Sequence, residues 1–128
     1  MSIKELRIGN ILSVSEIVMS KLGILYNSFK VVAIDRDGLI HFQCLHDNTI
    51  HICVYADQIV PCEISDEWLI KLGLKLDENV YRRDNFSIIK TENGYSLCGV
   101  LLYGIFPKPI KHVHQIQNLF LDLTGNEL

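Results

Sequence analysis

Three runs of alternating apolar and polar residues, held apart by turns of fixed parity, constrain this chain more than any other feature. The runs are 29–35 (FKVVAID), 39–45 (LIHFQCL) and 49–55 (TIHICVY), all rich in β-branched and aromatic residues. Between them stand Arg36-Asp37-Gly38 and His46-Asp47-Asn48, both good turn chemistry. Side chains alternate with a period of two, so a slip of one residue would carry every apolar group to the wrong face. For Val32 and Ile34 to share a face with Ile40, Phe42 and Cys44, the first loop must hold an odd number of residues. A three-residue Arg36-Asp37-Gly38 loop with Gly38 left-handed meets that need. The same parity asks for an odd loop before Ile50, so that Ile50, Ile52 and Val54 join the core face while His41, Gln43 and His51 point away. With 9–14 (GNILSV) as a leading strand, the first half is expected to be a small, strongly curved antiparallel sheet, an SH3-like barrel.

Two segments share one helix grammar, 15–23 (SEIVMSKLG) and 65–73 (SDEWLIKLG). Each opens on a serine able to cap the first amides, places acid in the first turn and closes on Lys-Leu-Gly. The sequences between them do not match, so the echo is not a repeat. A polar connection, 75–79 (KLDEN), leads to a hairpin of 86–91 and 95–103 joined by Glu92-Asn93-Gly94. Pro107 and Pro109 bar a regular ladder across 106–110, which leaves a turn or an edge there. A last helix should start near His112 or Val113 and stop at Thr124-Gly125. At 100° per residue it gathers Val113, Ile116, Leu119, Phe120 and Leu123 on one arc, with His114, Gln115, Asn118 and Asp122 opposite. The expected architecture is therefore α+β: one domain over 1–128, with an SH3-like β subregion at 1–64. That sheet would pack, through the helix carrying the core anchor Trp68, against the 65–128 subregion with its C-terminal β-hairpin and last helix.

Length and composition fit a packed protein, with 48% apolar residues in 128. The net charge of −3 splits into −2 for residues 1–64 (five basic, seven acidic) and −1 for 65–128 (seven basic, eight acidic). Neither half carries an electrostatic footprint for DNA or a membrane. Residues 1–10 already contain Lys4, Glu5 and Arg7 with no apolar stretch after them, and no apolar run nears a membrane span. A cytoplasmic protein is expected, with Cys44, Cys53, Cys62 and Cys98 reduced and mostly buried.

The chemistry-bearing residues form no familiar site. His41, Cys44, His51 and Cys53 lie close in sequence, yet alternation sends Cys44 to the face opposite the other three, so no zinc set converges. His112 and His114, two apart, do not share a helical face. No G-x-S-x-G, H-E-x-x-H, P-loop or dinucleotide fingerprint occurs. Cys53 meets His41 or His51 only on the outer sheet face, where ordinary strand residues are the default. No catalytic residue, metal or cofactor is implied. The candidate binding residues are Arg82 and Arg83, beside aromatic Tyr81, Phe86, Tyr95 and Tyr103, and the polar arc of His114, Gln115 and Asn118.

Three stretches, 5–10 (ELRIGN), 64–73 (ISDEWLIKLG) and 113–128 (VHQIQNLFLDLTGNEL), together resemble a group of small proteins encoded by phages, prophages and mobile elements of Bacteroides-like bacteria. The chain departs from that group in a longer 15–29 segment. The resemblance implies a phage-related setting in a bacterial cytoplasm and transfers no activity or site residue. The expected function is a non-enzymatic interaction module for a host or phage protein, in an accessory or counter-defence role. The alternatives are nucleic-acid binding through the sheet and the Arg82-Arg83 region, and sequestration of a nucleotide-like ligand between protomers of a homo-oligomer.

Overall fold

The parity argument survives in the structure, with one residue added to it. In a computed structural model of the chain, β1 (Ile11–Val14), β2 (Phe29–Ile34), β3 (Leu39–Cys44), β4 (His51–Tyr55) and β5 (Ile59–Pro61) form one antiparallel sheet ordered β4-β3-β2-β1-β5. Asp35 and Leu39 close a three-residue loop in which Gly38 is left-handed (φ 80°). The Cys44 amide donates to the Ile50 carbonyl, which leaves the odd loop of five residues, 45–49, before β4. The edge strands are β4 and β5, with a 3-10 turn at Ala56–Gln58 between them in sequence, and no described ladder joins them. The structure describes residues 3–92, 94–97 and 109–128.

Val32 is not on the core face. A bulge between Val31 and Ala33 makes it the extra residue: Val31 opposes Phe42, Ala33 opposes His41, and Ile34 opposes Ile40. An inserted residue resets the alternation, so Phe29 and Val31 point inward before the bulge, and Ile34 comes into phase after it. Phe29, Val31, Ile40, Phe42, Leu12 and Val14 make the centre of this core, with the Phe29 and Phe42 rings 6.0 Å apart. Between β1 and β2 runs α1 (Glu16–Leu22), capped by the Ser15 hydroxyl, which accepts from the Val18 amide. Only Val18 of this helix is buried.

The chain divides into Met1–Cys62 and Glu63–Leu128. In the second unit α2 (Asp66–Lys71) is capped by Ser65, and a four-stranded meander follows: β6 (Lys75–Asp77), β7 (Val80–Arg83), β8 (Phe86–Thr91) and β9 (Gly94–Leu97). The polar connection expected at 75–79 is thus mostly strand. Its two-residue turns begin with Glu78 (φ 57°) and Asp84 (φ 53°), which stand where glycine or asparagine is usual. Positions 98–103 of the expected hairpin, together with Cys98, Pro107 and Lys108, lie outside the described residues. Ile110 makes an isolated bridge to Tyr95. Trp68 is half-buried under the Lys71 ammonium, 5.0 Å from the ring centre, and the fully buried residue of α2 is Leu69. The anchor of this core is therefore leucine, not tryptophan.

The last helix, α3 (Val113–Thr124), packs on β8 and ends on left-handed Gly125. Val113, Ile116 and Phe120 are buried, and the Phe120 ring meets Phe86 edge-on at 5.2 Å. The inward arc is turned further toward His114 than the hydrophobic pattern suggests. His114 is 2% exposed, whereas Leu123 is 62% exposed. No described helix is long and apolar enough to cross a membrane.

Candidate functional site

A small open groove beside α1 is lined largely by apolar residues of the first unit. Gly23, left-handed at φ 66°, stops α1, and the Ile24 amide turns back to the Met19 carbonyl. Ile24 packs on the core. Its neighbour Leu25 is thereby left 94% exposed, and Leu22 is 53% exposed. Tyr26 is held by stacking on His46, with ring centres 5.0 Å apart and planes 19° off parallel. The opposite wall is equally fixed. The Leu45 amide donates to the Ser28 carbonyl, and Asp47 accepts from both the amide and the hydroxyl of Thr49. Those two bonds, hydroxyl first, hold the Asp47 carboxyl below its usual range. The result is a groove of about 360 Å³ bounded by Leu22, Leu25, Tyr26, Ile50, His51 and Ile52. It is apolar with a histidine at one edge, the lining expected of a site for a side chain of a partner.

The residues marked by the sequence pattern are mostly committed to the fold. Arg82 and Arg83 are adjacent on β7 and so face opposite ways. Arg82 is exposed. Arg83 donates from Nη1 to the Leu72 carbonyl at 2.9 Å and lies 5.4 Å over the Phe120 ring. It closes the end of α2. His114, expected on the solvated flank, is buried and stacks on His112 at 5.7 Å. Gln115 is exposed, and its Oε1 accepts the His112 and Lys111 amides, so it caps α3 from the third position. Asn118 is half-buried. These five residues therefore do not make one surface. The capping role of Gln115 was readable from its place three residues after the helix entrance.

Asp66, at the first position of α2, gathers a polar cluster that the sequence did not announce. Its carboxylate accepts from the Lys90 ammonium at 2.8 Å and from the Tyr95 hydroxyl, with Tyr81 also bonded to it. The Lys90 bond, then those of the two tyrosines, hold its carboxyl at about 2. Burial and the same carboxylate push both tyrosine hydroxyls up. This is a tie between helix and sheet.

Among the described cysteines Cys44 is buried, Cys62 is half-buried and Cys53 is exposed. Burial pushes the Cys62 thiol up to about 11. No group of three or more His, Cys, Asp or Glu among the described residues is placed to hold a metal ion. No protein-family model, curated protein or solved structure matches this chain.

Proposed function

We propose that this chain is a non-enzymatic interaction module that binds a host or phage protein through the groove beside α1. The observation that carries the reading is Leu22, Leu25 and Tyr26 left in solvent where the chain leaves α1, lining one groove with Ile50 and Ile52. Tyr26 is held by its stack on His46, and an apolar side chain held in place on the surface loses little conformational freedom on binding, which favours its use as an anchor. The phage-like resemblance supports the choice of partner and a bacterial cytoplasmic setting. One wall of the groove falls in the 15–29 segment, where the chain departs from that group. The strand order β4-β3-β2-β1-β5, with a turn of 3-10 helix before β5, supports an SH3-like reading of the first unit. Nucleic-acid binding is the weaker reading, because Arg83 is engaged with Leu72 and Phe120 and Arg82 faces away from it.

Capture from bacterial host lysate at physiological salt, with three baits in parallel, tests the proposal. Wild type and Arg82→Glu should retain the same protein. Leu25→Glu should lose it by roughly thirtyfold in affinity, the scale of a central anchor of about 2 kcal/mol. Equal retention by the Leu25→Glu bait, or no specific retention by any bait, overturns the reading.

A further inference from the structure

The outer face of the first sheet carries a second constellation, which borders the groove at His51. Cys53 on β4 stands directly opposite His41 on β3, and its Sγ is 3.2 Å from His41 Nδ1. The other ring nitrogen, Nε2, is 3.6 Å from Asp35 Oδ2. Asp35 is itself fixed by the hairpin turn, since its Oδ1 accepts the Asp37 amide at 2.9 Å and the Leu39 amide at 3.2 Å. Desolvation raises the Asp35 carboxyl, but the Leu39 and Asp37 amides and His41 together outweigh it and hold the group below its usual range. The carboxylate therefore steadies the histidine, and the histidine faces the sulfur. Cys53 is exposed, unlike Cys44 on the core face of β3. On the same outer face it is flanked along its own strand by His51 and Tyr55, with Gln43 opposite His51 and Lys30 beyond Gln43.

We propose that Cys53 is a reactive thiol built for disulfide exchange with a low-molecular-weight disulfide. An exposed thiol with a steadied imidazole against it has the two things such reactivity requires, access and a proton acceptor. In the step, the Cys53 proton passes to His41 Nδ1 and the sulfur attacks one sulfur of the incoming disulfide. That S–S bond breaks, a new one joins Cys53 to one half of the reagent, and the departing thiolate takes the proton from His41. One disulfide is exchanged for another, so no further oxidant is required. Exposed on a sheet face, Cys53 is open to a small disulfide, and its role in the proposal is that of a modification site.

The test is the rate of modification of the full chain by oxidised glutathione near neutral pH, with peptide mapping to assign each of the four cysteines. Cys53 should react about tenfold faster than the cysteine of an unstructured peptide carrying its flanking residues. His41→Gln should remove that advantage and change the pH profile of the rate, which a purely structural role for His41 would not produce. Asp35→Asn keeps an acceptor oxygen for the turn amides and should cost about threefold, short of the His41 loss. A Cys53 rate equal to that of the peptide, or one unmoved by His41→Gln, overturns the proposal. Unchanged strand-amide protection in the variants keeps the comparison free of unfolding.

Discussion

α1 and α2 are built from nearly the same sentence and have opposite fates. Both are capped by serine, carry acid in the first turn and end in the same pair of reversed bonds. Gly23 and Ile24 return to Ser20 and Met19, and Gly73 and Leu74 return to Ile70 and Leu69. Beyond the backbone they diverge. α2 is held at its start by Lys90, Tyr95 and Tyr81 on Asp66, at its end by Arg83 on Leu72, and from below by buried Leu69. α1 buries Val18, while Ile17 is 68% exposed and the chain past its cap leaves Leu25 in solvent. A helix tied on three sides is part of a scaffold. α2 too leaves an apolar side chain, Ile70, 53% exposed, so what separates the two is the anchoring of α2 and the further exposure of Leu25 past the end of α1.

The widest gap between the two helices should appear at the equivalent positions Leu69 and Met19. Leu69→Ala empties a fully buried site and should cost about 3 kcal/mol, against about 1 kcal/mol for Met19→Ala at a half-buried one. Urea unfolding followed by Trp68, the single tryptophan, reads the first, and hydrogen exchange of the β2–β4 amides reads the second. The closing glycines come next. Both have positive φ, so alanine should cost about 1 kcal/mol at Gly23, where a Cβ meets nothing within 4 Å. At Gly73 a Cβ would sit 3.1 Å from Arg83 Nη1, and displacing that guanidinium from the Leu72 carbonyl should bring the cost to about 2 kcal/mol. Equal costs would mean that Arg83 does not secure α2.

The smallest effect belongs to the first-turn acids. The Asp66 carboxyl is depressed from 3.8 to about 2, so its contribution is complete above the unfolded value and is lost as pH falls through the folded one. Acid titration of the second unit should therefore show a loss of stability between about pH 4 and pH 2 that is absent in Asp66→Asn. Because the side chain is half exposed, solvent screening holds the contribution to about 0.5 kcal/mol. Exposed Glu16, its counterpart on α1, should contribute less still. Trp68 fluorescence across a pH series reads the first and strand-amide exchange the second.

The legible parts of the fold were those encoded in a few local residues. Serine caps and Lys-Leu-Gly endings marked α1 and α2, and Asp35 to Gly38 marked a loop whose parity placed His41 and Cys53 on one face. The bulge at Val32 left no trace, because two consecutive valines suit either face of a strand. β6 and β7 were hidden by their turns, where Glu78 and Asp84 take positive φ without glycine. The roll of α3 toward His114 is a tertiary choice, made by Val113 and Phe120 settling on Phe86 and its neighbours, and periodicity defines an arc only to within a residue or so. The groove was missed for a different reason. Leu25 and Tyr26 lie outside any periodic element, so their exposure depends on which way Ile24 turns after Gly23.

Hydrogen exchange on the complex with a captured partner bears most directly on the idea that the α1 connection is the recognition surface. Slowed exchange confined to 22–26 and 45–52 is the predicted result. Slowed exchange at 80–83 or 112–118, with 22–26 unchanged, would contradict it.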